Sequence, residues 1–261
     1  MKAAAFQYSR PTDWPAALQL LQEGARPAAG TQSLGPMLNF RLSLPQRLAD
    51  LRHLPGYAGI TTANGTVRIG AGTTHAAIED GAVPGRLGTI LAAVARRIAY
   101  RAVRNRGTIG GSLAHADPAA DWVAVLPALD ATAIAIGPQG ERRIAASGFM
   151  LGLFTTALAE DELLQAIEIP ELPNSARWGH WKFCRKPGEF SRATACILSQ
   201  PGHPPIAVLA ALDAPPLIIP DPAALLADPA ATAARIVAPL KLEPWREAIA
   251  RTALCRAVKA L

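Results

Sequence analysis

The run Arg106-Gly107-Thr108-Ile109-Gly110-Gly111-Ser112-Leu113-Ala114-His115-Ala116-Asp117-Pro118-Ala119-Ala120-Asp121 constrains the fold more than any other part of this chain. Adjacent glycines remove two Cβ atoms and open backbone conformations closed to other residues, so their amides can converge on an anionic or carbonyl-rich ligand. A tight turn explains most isolated Gly-Gly pairs. Here a second glycine loop precedes it, Arg26-Pro27-Ala28-Ala29-Gly30-Thr31-Gln32-Ser33-Leu34-Gly35-Pro36-Met37. A short apolar run delivers Gly30, three small or hydrogen-bonding side chains follow, and Gly35-Pro36 closes the segment ahead of Arg41. Amides in such a loop could cradle a phosphate. Neither loop has the Gly-x-Gly-x-x-Gly or the Gly-x-x-x-x-Gly-Lys-Ser/Thr pattern, which disfavours the two commonest nucleotide folds.

Together the loops resemble those of the FAD-binding medium subunit of molybdenum hydroxylases, the group that includes carbon monoxide dehydrogenase and the flavin domain of xanthine dehydrogenase. That family's first loop reads Ala-Gly-Gly-x-Ser-Leu-x-Pro and its second Thr-Ile-Gly-Gly-Asn/Ser-x-Ala-x-Ala-Asp-Pro-x-x-Asp. Thr108 to Asp121 match the second almost completely, while Thr31 stands where many members carry the second glycine of the first. The resemblance continues through Leu48-Ala49-Asp50-Leu51-Arg52, Ile69-Gly70-Ala71-Gly72-Thr73-Thr74-His75 and Leu163-Leu164-Gln165-Ala166-Ile167-Glu168-Ile169-Pro170, in the family's order.

The resemblance implies an α+β fold. A two-subdomain FAD-binding domain of the vanillyl-alcohol-oxidase/PCMH type would span 1–173, divided into about 1–57 and 58–173. A small α+β domain of the carbon monoxide dehydrogenase flavoprotein type would follow over 174–261, with a short proline-rich linker at Ala214 to Pro220. It also implies residue roles. Ala28, Ala29, Gly30, Thr31, Gln32 and Ser33 would wrap the FAD pyrophosphate. Gly110, Gly111 and Ser112 would approach the flavin and its ribityl or phosphate chain, with Thr108 and His115 adding side-chain hydrogen bonds. Asp121 matches an aspartate near the adenosine portion, though it could equally cap a helix starting near Trp122. Lys182 aligns with a lysine near the isoalloxazine ring, where a cation would stabilise the anionic reduced flavin; an edge-strand lysine in solvent is the plain alternative. Tyr100 could stack or pack beside the ring, but reads rather as interface or core, and His53, His180 and His203 receive no role.

Composition bounds these expectations. Half of the 261 residues are hydrophobic and 18% are charged, enough apolar surface for a large core. No apolar run approaches the roughly 20 residues of a membrane span, and the N-terminus lacks a signal-peptide apolar region, so the expected address is the cytoplasm. Cys184, Cys196 and Cys255 have no metal-ligand spacing, which argues against a disulfide framework, a metal site or an iron–sulfur cluster here. The net charge of +6 and the Arg96, Arg97, Arg101, Arg104, Arg106 run raise nucleic acid as a partner. Sparse aromatic residues and the absence of a recognition motif weigh against it.

Local patterns predict a helix capped by Asp13 and stopped by Gly24, a strand at Pro27 to Ala29, and strands around Arg47 to Leu51 and Val67 to Gly70. A helix capped by Thr89 carries Ile90, Leu91, Val94 and Ile98 on one face. Trp122 to Leu129 reads as a helix, and Ala133 to Ile136, Gly152 to Leu158 and Leu164 to Ile169 as strands. Pro170-Glu171-Leu172-Pro173-Asn174 marks a boundary. Beyond it, strands are expected at Trp181 to Phe183, Ala193 to Leu198 and Ile206 to Leu212, and helices at Asp221 to Ala227, Ala230 to Val237 and Trp245 to Val258.

The implied function is electron transfer. A large subunit holding the molybdenum cofactor and a small subunit with two [2Fe–2S] clusters would be partners in a dimer of heterotrimers, and the FAD of this chain would receive the electrons. A stand-alone flavin oxidase or dehydrogenase of the same fold is the alternative, with a basic nucleic-acid module a distant third.

Overall fold

The computed structural model describes residues 2–261. At the N-terminal end β1 (Gln7–Ser9), α1 (Trp14–Gln22), β2 (Arg26–Ala28), α2 (Leu34–Asn39) and β3 (Arg47–Asp50) build a parallel sheet in the order β1-β3-β2. Asp13 caps α1, its carboxylate accepting from the Ala16 amide at 2.8 Å, and Pro15 sits in the first turn, where its missing N–H costs nothing. The first glycine loop leaves the carboxyl end of β2. That is the edge of a parallel sheet where ligand crevices form.

Next, β4 (Ile60–Ala63) and β5 (Thr66–Gly70) turn about Asn64-Gly65, both with positive φ, as a tight hairpin turn demands. Five helices follow: α3 (His75–Glu79), α4 (Gly85–Ala95), α5 (Arg101–Arg104), α6 (Ile109–His115) and α7 (Asp121–Ala128). The chain continues through β6 (Thr132–Gly137), β7 (Gly140–Ala145) and the small hairpin of β8 (Met150–Gly152) and β9 (Thr155–Thr156). Then β10 (Leu163–Pro170) returns to the centre of a five-stranded antiparallel sheet ordered β4-β5-β10-β6-β7. Ile90, Leu91 and Val94 of α4, Ile109 and Leu113 of α6, and Trp122 and Leu126 of α7 bury themselves in its core.

Two local expectations are corrected. Thr89 does not cap α4, which starts four residues earlier after Pro84; its hydroxyl instead donates to the Gly85 carbonyl at 3.4 Å. The expected single strand from Gly152 to Leu158 is a broken hairpin, because Phe154 turns left-handed at φ 54° and its amide is held by the Ala116 carbonyl at 2.9 Å.

At the C-terminal end β11 (Arg177–Phe183), β12 (Ala193–Ser199), β13 (Ile206–Ala210) and β14 (Leu217–Ile218) form an antiparallel sheet in chain order. Its two faces alternate with the pleat. Ala195, Ile197, Ala207 and Leu209 pack under α8 (Pro222–Ala227), α9 (Pro229–Val237) and α10 (Pro244–Lys259). Cys196, Leu198, Val208 and Ala210 point the other way and join the core that holds α7. The apolar interior therefore runs continuously past the proline-rich segment at 170–174. No described helix is long and apolar enough to cross a membrane.

Candidate functional site

A cavity of about 610 Å³ opens between the two glycine loops. Ala29, Gly30, Thr31, Gln32 and Ser33 line it from the first loop, Thr108, Gly110, Gly111, Ser112 and His115 from the second, and Asp121 and Lys182 from α7 and β11. Ala28 is the exception. It lies buried in β2, paired with Asp50, one residue short of the opening.

The loops meet through bare backbone. A Cβ on Gly30 would lie 2.0 Å from the Arg106 carbonyl oxygen and 2.8 Å from the Gly107 Cα, so only glycine permits this junction. The next residue, Thr31, has φ 57°, the left-handed region that glycine favours and a β-branched residue resists. This is the position where the resembled family commonly carries glycine. The Gln32 side-chain amide donates to the Gly30 carbonyl at 3.0 Å, closing the loop on itself. The backbone amides of Gly30, Thr31, Gln32 and Ser33 find no protein acceptor among the described residues. Four successive unpaired N–H groups on a cavity wall are a built anion cradle.

The second loop works differently. Its amides are already engaged: Ile109 donates to the Thr73 carbonyl at 3.0 Å, Gly110 to the Ala71 carbonyl at 2.9 Å, and Ser112 to the Thr108 carbonyl at 3.0 Å. The Gly111 amide donates to the Thr108 hydroxyl, also at 3.0 Å. The expectation that the Gly-Gly amides converge on a ligand is thus corrected. Gly110 is needed because a Cβ there would meet that of Ala71 at 2.3 Å, so the pair lets α6 seat against the end of β5. The motif supplies the shape of the wall, and the first loop supplies its donors. His115 faces the cavity with its ring 5.1 Å from that of Phe154, and burial lowers its pKa.

Asp121 and Lys182 were expected near opposite ends of an extended cofactor. Both line the cavity, and they form an ion pair, with Lys182 Nζ donating to Asp121 Oδ2 at 2.8 Å, both side chains buried. The helix-cap reading of Asp121 fails, since it lies inside the first turn of α7 and the cap position is Ala120. Burial pushes the Asp121 carboxyl upward, and the neighbouring Lys182 ammonium opposes that shift.

Sequence reasoning missed His75. It begins α3, is buried, lines the cavity, and donates its backbone amide to the Gly107 carbonyl at 2.9 Å. Burial, with the nearby Arg104 charge, lowers its pKa to about 4, so it is neutral at pH 7. The only sequence signal was its place after the Gly70-Ala71-Gly72-Thr73-Thr74 run, and a lone histidine carries no chemistry without its neighbours.

The cavity fits a dinucleotide flavin. Its volume lies within the ~300–1,000 Å³ typical of cofactor pockets. The amide cradle suits a pyrophosphate, while Ile98, Leu158 and Leu164 present aliphatic walls. The family of the FAD binding domain in molybdopterin dehydrogenase matches residues 4–172. This chain belongs to that family. As a member it is an FAD-dependent oxidoreductase subunit. It is 40% identical over 194 residues to the 6-hydroxypseudooxynicotine dehydrogenase complex subunit alpha of Paenarthrobacter nicotinovorans, a match covering 73% of this chain and 66% of that one. To the nicotine 6-hydroxylase medium subunit of the same organism it is 36% identical, covering 76% of this chain and 70% of the relative. The chain's matched stretch thus spans about two thirds of these relatives' lengths. A structure of carbon monoxide dehydrogenase from Hydrogenophaga pseudoflava superposes with a TM-score of 0.88 at 29% identity, covering 100% of this chain and 98% of that one. The α+β fold that the resemblance implies is therefore the fold of this chain.

Proposed function

We propose that this chain is the electron-transfer subunit of a molybdenum hydroxylase, in which FAD held between the two loops receives electrons from [2Fe–2S] clusters of a small partner subunit. A large subunit carrying the molybdenum cofactor completes the heterotrimer, two heterotrimers pair, and the complex works in the cytoplasm. Residues 1–173 are the FAD-binding domain and 174–261 the second domain.

The observation that carries this reading is the row of unpaired amides from Gly30 to Ser33 on a cavity of about 610 Å³, in a chain of an FAD-binding family. These amides bind the pyrophosphate. They stand ready because Gly30 and the left-handed Thr31 fix their directions before the cofactor arrives. The second loop orients the flavin by shape, since its own amides are satisfied. Neutral His75 adds no charge to the pocket at pH 7. Bound flavin supplies a group able to take electrons one at a time and release two together. Substrate choice belongs to the partner: relatives of this one subunit are named for nicotine derivatives and for carbon monoxide.

The test is co-purification of the native assembly, followed by mass measurement and release of the chromophore. The expected result is a complex of three kinds of chain that yields FAD absorbing at about 450 nm. A flavin-bearing monomer with its own oxidase activity overturns the subunit reading. Colourless protein that cannot be reconstituted with FAD overturns the site itself.

A further inference from the structure

The turn that joins α4 to α5 forms part of the cavity wall, through Ile98 and Ala99. It is an awkward piece of backbone. Ala99 sits at φ 42°, in the left-handed region where a Cβ crowds the following carbonyl. Such a residue persists only when its surroundings over-determine it, and here the surroundings are cationic. The buried Arg104 guanidinium donates from one nitrogen to two successive carbonyls, Ile98 at 2.8 Å and Ala99 at 3.0 Å. Its other nitrogens grip both carboxylate oxygens of Glu79 on α3, Nε at 2.7 Å and Nη2 at 3.2 Å. The preceding carbonyl, of Arg97, accepts a longer bond from Lys182 Nζ at 3.4 Å, and Lys182 is balanced by Asp121. Three consecutive carbonyls past the end of α4 are thus each held by a buried cation that is paired with a carboxylate, Asp121 for Lys182 and Glu79, which Arg101 shares at 3.0 Å, for Arg104. Helix C-termini favour cations, but a single exposed lysine meets that need. Two buried cations on one turn, each paired with a carboxylate, exceed it.

We infer that Arg104, fixed by Glu79, is a positioning residue for the flavin: it holds the Ile98–Ala99 turn as a rigid aliphatic wall against the isoalloxazine ring without touching the cofactor. The ring is the part of FAD that such a wall suits, because Ile98 and Ala99 side chains offer no donor to a pyrophosphate. This inference rests on the FAD reading above. Arginine is required rather than lysine, because one ammonium cannot span two carbonyls and a bidentate carboxylate together.

The test uses the purified full chain and FAD titration, with the visible spectrum of the bound flavin as the second readout. Arg104→Lys keeps the charge and the Glu79 contact, and should weaken FAD binding about tenfold and shift the flavin absorption bands while the far-ultraviolet circular dichroism is unchanged. Adding Ala99→Gly, which lets the turn adopt its left-handed shape unaided, should restore most of the affinity and the spectrum. The inference is overturned if Arg104→Lys binds FAD with wild-type affinity and spectrum, or if its loss tracks lost folding and Ala99→Gly does not rescue it. Wild-type protein that takes up no FAD overturns the site reading first, and this inference with it.

Discussion

Substituting Gly30 by alanine is the most direct probe of how the two loops share one cavity. The added Cβ would sit 2.0 Å from the Arg106 carbonyl oxygen, 2.7 Å from its carbon and 2.8 Å from the Gly107 Cα, all backbone atoms that no rotamer change can move aside. Restoring an ordinary contact near 3.4 Å requires the loops to part by about 1.4 Å, the difference 3.4 − 2.0. Overpacking of this kind costs about 1–3 kcal/mol. Because the same junction aims the Gly30 to Ser33 amides, FAD affinity should fall by at least about tenfold, the equivalent of ~1.4 kcal/mol. Gly35 supplies an internal control: it lies in the second position of α2, with nothing within 4 Å of its Cβ position. Alanine there should be neutral or stabilising by up to about 1 kcal/mol. Thermal unfolding of the apoprotein and fluorescence titration with FAD measure both effects. A Gly30→Ala protein with wild-type stability and affinity would falsify the close-approach argument, as would equal damage from Gly35→Ala.

Three further outcomes follow from the same geometry. Thr31→Gly removes a β-branched side chain from φ 57° and should raise stability by about 0.5–1 kcal/mol in thermal melts while FAD binding persists; a fall in melting temperature would show that the Thr31 side chain has a role of its own. Asp121→Asn strands Lys182 in the interior and should destabilise by about 3–5 kcal/mol in urea titrations, with the double change Asp121→Asn, Lys182→Met recovering most of it; equal losses in both proteins would contradict a coupled pair. His75 is neutral when folded because its pKa is lowered from 6.5 to about 4, so the unfolded chain takes up the proton first as pH falls. Its contribution is therefore full above about pH 6.5, is lost progressively down to about pH 4, and levels off below; His75→Gln should flatten that part of the stability profile, and an unchanged slope would refute it.

Much of this architecture is legible in the residues because it rests on local chemistry. Asp13 with Pro15 starts α1, Asn64-Gly65 turns the β4–β5 hairpin, and Asp221 and Asp228 cap the helices that Pro222 and Pro229 begin. The two loops that line the cavity were likewise readable from their glycines and hydroxyls. Thr89 misled because capping residues also occur inside helices, and the hairpin at 150–156 misled because Phe154 turns left-handed for a partner 38 residues away in sequence, the Ala116 carbonyl (154 − 116).

What the sequence by itself determined was where the two glycine loops lie, since glycine spacing and side-chain size act over a few residues, and the loops' resemblance to a known family supplied the cofactor class. What only the tertiary structure decided was which loop still has amides to give. Gly110 and Gly111 looked like ligand donors until Ala71, Thr73 and Thr108 proved to occupy their neighbourhood's hydrogen bonds, leaving Gly30 to Ser33 as the open set. Likewise Asp121 and Lys182, 61 residues apart along the chain, revealed their ion pair only when α7 packed against the sheet that carries β11. A hydrogen bond or a buried charge is satisfied by whatever folding brings beside it, and no local pattern records that partner.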